Sequence, residues 1–230
     1  MKVITEDTVK QLIDEGNMVV KGKLRLPADS VITPAAMDVI TNARLQVEVR
    51  ETCPHGNKPE HMTHLNKDTL VCKDDPRIAF RGEVDVLIAE ILKVQLRASA
   101  LGIAHLLTDL EDVHGFVCRL SSSEVKDEPF EATQLLGMDL DMIHDISHHP
   151  KRHFGRGHLF MISYEDGELT VLLNGLRALS RQCELAFYRA FKKEDGTTFR
   201  EDLMRGYNRL SSALYVLCLR AVCGQYEAPA

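Results

Sequence analysis

Along the chain the spacing of apolar positions changes character twice. Up to about residue 50 it is short and mixed. Val9, Leu12 and Ile13 fall on one face of a short helix that opens at Glu6-Asp7-Thr8, and brief apolar stretches at Val19-Val20, Leu24-Arg25-Leu26-Pro27 and Val31-Ile32-Thr33 are separated by turns. Thr33-Pro34 predicts a helix start, a hydroxyl to cap free N–H groups followed by a proline suited to the first turn, with the helix over 35–42. Leu45-Gln46-Val47-Glu48-Val49 alternates apolar and polar with the period of a strand. Residues 1–50 thus read as a small α+β appendage. Residues 51–66 (ETCPHGNKPEHMTHLN) carry Pro, Gly, Asn and three His without apolar periodicity, which predicts a loop or linker, and 51–73 joins the appendage to the remainder of the chain.

From residue 74 the period becomes helical. Asp74-Asp75-Pro76 is a helix start. Ile78, Val84, Leu87, Ile88, Ile91, Leu92 and Leu96 then make a broad apolar stripe. A second helix over 103–120 turns Leu106, Leu107, Leu110, Val113 and Val117 inward, and the Ser-rich acidic stretch 121–128 predicts its end. Further helices are expected over 138–147, 168–192 and 199–223, with 148–158 (HHPKRHFGRGH) as a loop, Gly196 as a turn and Gly224 as a terminator. The fold class is therefore mainly α: an antiparallel bundle of about five helices over 74–225, preceded by the α+β appendage.

Composition narrows the class. The 230 residues can bury a real core, and a hydrophobic content of 44% excludes a disordered chain. No run approaches the ~18 apolar residues of a membrane span, and the amphipathic, acidic N-terminus does not read as a secretory signal, so the expected location is the cytoplasm. The six cysteines (53, 72, 118, 183, 218, 223) are scattered without a CxxC pair and read as reduced thiols. A net charge of −6 argues against a dedicated nucleic-acid binder but leaves room for a local cationic pocket.

Four groups of residues could carry chemistry. Arg177, Arg181 and Glu184 share a face of the penultimate helix, beside Leu172, Leu173, Leu176, Leu179 and Cys183, which read as buried. Such a cluster is either a solvated face with one Arg–Glu pair or a fork-shaped grip on phosphate oxygens, and spacing alone favours the former. Asn208-Arg209 sits among Tyr207, Leu210, Leu214, Val216 and Leu217, so the Asn is expected near a packed surface, holding a nucleoside or a neighbouring backbone. Thr63-His64 and Lys73-Asp74-Asp75 precede a helix N-terminus, either an anion site or a charged cap; with no GxxxxGK[ST], it is not a P-loop. Cys53, His55, His61 and His64, and separately His144, His148, His149, His153 and His158, are zinc-ligand types without a recognised ligand spacing, and a polar surface or the rim of a substrate opening accounts for them equally. Cys183, Cys218 and Cys223 lie in apolar helices, where a small hydrophobic role is commoner than catalysis.

Taken in order, THLNKDTLVCKDDPRIAFRGEVD, LLNGLRALSRQCE and NRLSSALYVL, with the leader LPADSVITPAAMDVI, resemble the ATP:cob(I)alamin adenosyltransferases of the ethanolamine-utilisation type. The resemblance covers nearly the whole chain. It implies a helical bundle that works as a homo-oligomer, a trimer in preference to a dimer, with ATP at subunit interfaces and Mg²⁺ accompanying it. It places Lys73 and Thr63 at the phosphates, Arg181, Glu184 and Asn208 at the nucleotide, and Asp85 with Arg177 as an inter-subunit pair, with Arg181 and Lys73 assisting catalysis. Cobalamin is the second substrate, with Phe154, Phe160 and the loop 148–158 implied at its pocket. A reductase and a B12-dependent lyase are implied partners, and a bacterial microcompartment an implied setting. Two departures stand out: the segment around Thr63 lacks the glycine-rich pattern of the propanediol-type relatives, and a His followed by CCxxC is replaced by ETCPHGNKPEHMTH with Cys53 alone, so no protein metal site is expected. The competing readings are a non-catalytic corrinoid or ATP carrier, a His-rich metal-binding bundle, and a DNA-binding regulator, against which the acidic balance counts.

Overall fold

Capping and alternation place the N-terminal elements close to where the sequence predicts them. In the computed structural model, which describes residues 2–15, 19–20, 22–27, 30–50, 58–66, 69–131 and 134–226, the order is β1 (Lys2–Ile4), α1 (Glu6–Glu15), β2 (Val19–Val20), β3 (Lys23–Pro27), β4 (Ser30–Ile32), α2 (Pro34–Asn42) and β5 (Gln46–Arg50). Thr33 is extended, and its hydroxyl accepts from the Ala36 N–H with Pro34 in the first turn. β1 pairs in parallel with β4, while β3 is flanked by antiparallel β2 and parallel β5. On β3 the period of two is literal. Leu24 and Leu26 are buried, and Arg25 between them donates from Nε to Glu48 Oε2 of β5 at 3.0 Å. Ile4, Val9, Leu24, Leu26, Ala36 and Ile40 form the core of this unit, which comprises residues 1–75 with 191–199.

The same unit holds the first departure from expectation. Met62–Asn66, inside the stretch read as a loop, is a strand, β6, paired antiparallel with β7 (Thr69–Cys72). Its apolar alternation is too short to register alone, and its backbone partners come from β7. Residues 51–57 lie outside the described residues.

The second unit, residues 76–190 with 200–230, is the helical bundle. Its long elements are α3 (Pro76–Ala100), α4 (Ala104–Lys126), α7 (Glu168–Phe191) and α8 (Glu201–Val222); between them lie a tight hairpin, β8 (Gln134–Leu135) and β9 (Met138–Asp139), then α5 (Leu140–His148) and a single turn, α6 (Pro150–Phe154). Cross-helix contacts set the directions. The start of α3 meets the end of α4 through Arg77 and Arg81 on Glu124, at 2.6 and 2.7 Å. The end of α3 meets the start of α7 through Arg97 and Glu168 at 2.7 Å, and Phe80 packs edge-on against Phe187 at the opposite ends. Arg220 near the end of α8 reaches Asp109 near the start of α4 at 2.8 Å. These neighbours are therefore antiparallel, as expected of a bundle. Leu203, Tyr207, Leu210, Leu214 and Leu217 of α8 are fully buried, each leucine worth about 1.5–3 kcal/mol relative to exposure. α8 lies so close to α4 that a Cβ on Gly206 would stand 2.5 Å from Leu120 Cδ2.

Three boundaries or faces differ from the sequence reading. The inward stripe of α3 is Phe80, Val84, Leu87, Ile91, Val94 and Ala98, whose alternating four- and three-residue steps keep one face inward; Leu92 and Leu96 point outward, 44% and 73% exposed. α4 does not end at Ser121 but runs to Lys126 and stops at Asp127 in the left-handed region, φ 56°. The arginines on α3 make this possible by neutralising Glu124, which is otherwise unsuited to burial. Within 148–158, Pro150–Phe154 forms one helical turn, closed by Gly155 at φ 66°. Among the described residues no helix is long and apolar enough to cross a membrane.

Candidate functional site

On α7 the helical period buries Leu173, Leu176 and Cys183 as the sequence predicts, whereas Leu172 and Leu179, also expected to be buried, flank that stripe and stay partly open. Leu173, Leu176, Ser180 and Cys183 are buried, Leu172, Leu179, Arg177 and Glu184 are half-buried, and Arg181 is exposed. Arg177 donates from Nε to Asn174 Oδ1 at 3.0 Å. Glu184 faces α8, where its Oε1 accepts from Asn208 Nδ2 at 3.3 Å, and Asn208 Oδ1 accepts from an Arg209 terminal nitrogen at 3.1 Å. Asn208 is exposed, a correction to the packed position expected for it. Its apolar neighbours on α8 turn to the other face. Ser211, one turn on, donates to the Asn208 carbonyl at 2.9 Å, and its hydroxyl acts on the Glu184 carboxyl.

The electrostatics of this cluster are mixed. Burial pushes the Glu184 carboxyl above its ordinary range, and the charge of Arg181 and the Ser211 hydroxyl pull it back in part. A carboxyl raised in the folded state takes up a proton on folding, so its contribution is most favourable below the unfolded pKa and is lost as pH rises through the folded one. Glu184→Gln is therefore expected to raise stability slightly at pH 7.5, by less than about 1 kcal/mol, with the gain vanishing in acid. Urea midpoints of both proteins at neutral and acid pH check this. A wild type more stable than the variant at pH 7.5 would contradict it.

The remaining predicted residues lie on separate elements. Thr63 is half-buried on β6 opposite Val71, and Lys73 is exposed just past β7, its backbone N–H donating to His61 O at 2.9 Å. Both belong to the first unit. Asp85 is exposed on α3, and it and Arg177 make no salt bridge with each other within the chain. Phe154 is half-buried at the end of α6. Phe160 is 89% exposed, and Met161 and Tyr164 are similarly open. Next to Phe160, the His158 ring stacks on Tyr215 of α8, whose hydroxyl accepts from the Leu159 N–H at 2.9 Å.

The sequence model of the cobalamin adenosyltransferase family matches residues 55–221, which include α3 to α7, nearly all of α8 and the β6–β7 hairpin. The chain belongs to that family. It is 27% identical to the corrinoid adenosyltransferase EutT of Salmonella typhimurium, over 87% of this chain and 86% of that protein. To the corrinoid adenosyltransferase EutT of Escherichia coli K12 it is likewise 27% identical, over 88% and 87%. No solved structure matches.

Membership in the cobalamin adenosyltransferase family bears on the groups left over. Among the described residues no three His, Cys, Asp or Glu side chains are arranged to hold a metal ion. His61 and His64 are exposed on the hairpin, whereas Cys53 and His55 lie outside the described residues. His149 and His153 both turn to Asp145, at 3.0 and 2.7 Å, and His144 packs on His148. Burial pushes the Cys183 and Cys218 thiols up to about 12, so at neutral pH neither is a nucleophile. Two residues of this region, Ser211 and Tyr215, do not stand out in the sequence. The three-residue step from Asn208 to Ser211 is a usable signal, but the Tyr215–His158 stack joins residues 57 apart in the chain and leaves none.

Proposed function

We infer that the protein transfers the 5′-deoxyadenosyl group of ATP to the cobalt of cob(I)alamin, giving adenosylcobalamin for a B12-dependent enzyme such as ethanolamine ammonia-lyase. Besides family membership, one observation carries this reading: a half-buried carboxylate, Glu184, bonded across helices to the Asn208 amide, beside the exposed guanidinium of Arg181. That set can hold a nucleoside by its amide and carboxylate while a cation meets its phosphates.

In the transfer the cobalt(I) electron pair forms the Co–C5′ bond, the C5′–O bond breaks, and the triphosphate leaves with the electron pair of the broken C5′–O bond. Cobalt is the nucleophile, so none is required of the protein, in keeping with the protonated state of Cys183 and Cys218. Arg181 offsets charge gathering on the departing triphosphate. Glu184 and Asn208 hold the nucleoside so that C5′ is presented to the metal. Lys73 and Thr63 are assigned to the phosphates on the resemblance of their segment. Mg²⁺ is proposed to accompany ATP, where it would offset phosphate charge beside Arg181 and Lys73. Phe154 and Phe160 are proposed at the corrinoid, which an apolar, aromatic surface suits.

The working unit is proposed to be a homo-oligomer, a trimer in preference to a dimer, in which Asp85 of one copy pairs with Arg177 of the next. The outward apolar residues Val86, Leu92 and Leu96, on the same helix α3 as Asp85, support an interface along it. We place the enzyme in the cytoplasm, within or beside a bacterial microcompartment, supplied by a reductase and serving a B12-dependent lyase.

The deciding experiment is the spectral conversion of cob(I)alamin to adenosylcobalamin with ATP and Mg²⁺. Conversion that requires this protein is expected. Binding of ATP and corrinoid without conversion would instead make it a carrier.

A further inference from the structure

We propose that Arg209 is a positioning residue for the nucleotide site, fixing which way the Asn208 amide faces. The proposal rests on the adenosyltransferase reading and assigns that site a further residue.

The argument is one of donors and acceptors. Asn208 lies between Arg209, whose guanidinium only donates, and Glu184, whose ionised carboxylate only accepts. With Oδ1 toward Arg209 and Nδ2 toward Glu184, both contacts are hydrogen bonds, at 3.1 and 3.3 Å. Turning the amide over sets its NH₂ against guanidinium donors and its oxygen against a carboxylate, losing both. The amide therefore has one orientation rather than two, and after these bonds it retains one N–H and one acceptor lone pair for a ligand. A nucleoside, which offers hydroxyl and ring-nitrogen partners of both kinds, is then met by a prearranged donor–acceptor pair instead of a rotor that must be ordered on binding.

Arg209 sits where a residue kept for stability is not expected. It is half-buried, its Nε is buried without a hydrogen-bond partner, and among the described residues it makes no salt bridge. The charged groups facing it are Arg205, which repels it, and Asp141 and His144 of α5, with Asp141 already engaged by Arg205 at 2.8 Å. Burial and Arg205 both disfavour its charged form. A partly desolvated cation without a carboxylate of its own is commonly replaced by an apolar side chain at no loss of stability. The hydrogen bond that its guanidinium does make ends on Asn208.

The test measures adenosylation of cob(I)alamin with ATP varied, together with thermal melting. Arg209→Met is expected to raise the KM for ATP about five-fold or more, with kcat within about two-fold and a melting temperature equal to or above wild type. Arg209→Lys, which still donates to Oδ1, is expected to restore most of the affinity. Asn208→Ala/Arg209→Met is expected to have no higher KM than Asn208→Ala alone, because Arg209 acts through the amide. Should Arg209→Met fail to fold, Arg209→Ala replaces it with the same expected kinetics. If Asn208→Ala raises KM while the Arg209 variant keeps the wild-type value, or only melts earlier, the positioning role is overturned and the site stands. If Asn208→Ala itself keeps the wild-type KM, the site reading falls, and the inference with it.

Discussion

Arg181→Ala is expected to cut adenosylcobalamin formation by about a hundred-fold or more, while far-UV circular dichroism and the melting temperature stay near those of the wild type. The two halves of this expectation have different causes. Arg181 is exposed and has no salt-bridge partner among the described residues, so its removal leaves no buried charge and opens no cavity; surface changes of this kind usually alter stability by less than about 0.5 kcal/mol. The loss of rate comes from the transition state. There the triphosphate gathers the electron pair of the breaking C5′–O bond, and a fixed guanidinium is worth more against that charge than against ATP in the ground state. kcat is accordingly expected to fall more than KM rises. A variant with near-normal kcat would remove Arg181 from the site, whereas one that also unfolds early would show its role to be structural. Lysine in its place should recover only part of the rate, since an ammonium cannot reproduce the two-pronged grip of a guanidinium.

The largest effect on stability is expected at the buried carboxylate of the bundle. Glu124 is 1% exposed on α4 and is held by Arg77 and Arg81 of α3 at 2.6 and 2.7 Å. Arg77→Met/Arg81→Met leaves this carboxylate in the interior with its counter-charges gone, and the double variant is expected to lose about 3–5 kcal/mol, read as a lower urea midpoint. Adding Glu124→Leu should recover most of that loss, because an apolar side chain in place of the network is often neutral or better. The recovery separates charge burial from simple loss of arginine packing, which the third substitution would not repair. A double variant as stable as the wild type would show that Glu124 reaches water by another route.

The pairing around Glu124 also explains why one helix outruns its local sequence. Ser121-Ser122-Ser123-Glu124 is poor local helix sequence, and its polarity predicts a break. The helix continues because Arg77 and Arg81, more than forty residues earlier, satisfy the glutamate. β6 is a similar case. Its strand character comes from the ladder with β7, not from MTHLN alone. By contrast the ends of α7, the turn at Gly196 and the cap at Thr33 follow from local stereochemistry and are legible in the residues themselves.

The candidate site divides in the same way. That Arg177, Arg181 and Glu184 share a face of one helix follows from a period of 3.6 residues. So does the inward turn of Leu210, Leu214 and Leu217 on α8. Side-chain spacing within a helix is a local property, and residue order alone carries it. That Glu184 meets Asn208, and that Asn208 lies open rather than packed, depend on how α7 and α8 are rotated against each other. That rotation is set by the combined burial of all the apolar faces in the bundle, a sum over the whole unit that no single stretch of chain contains.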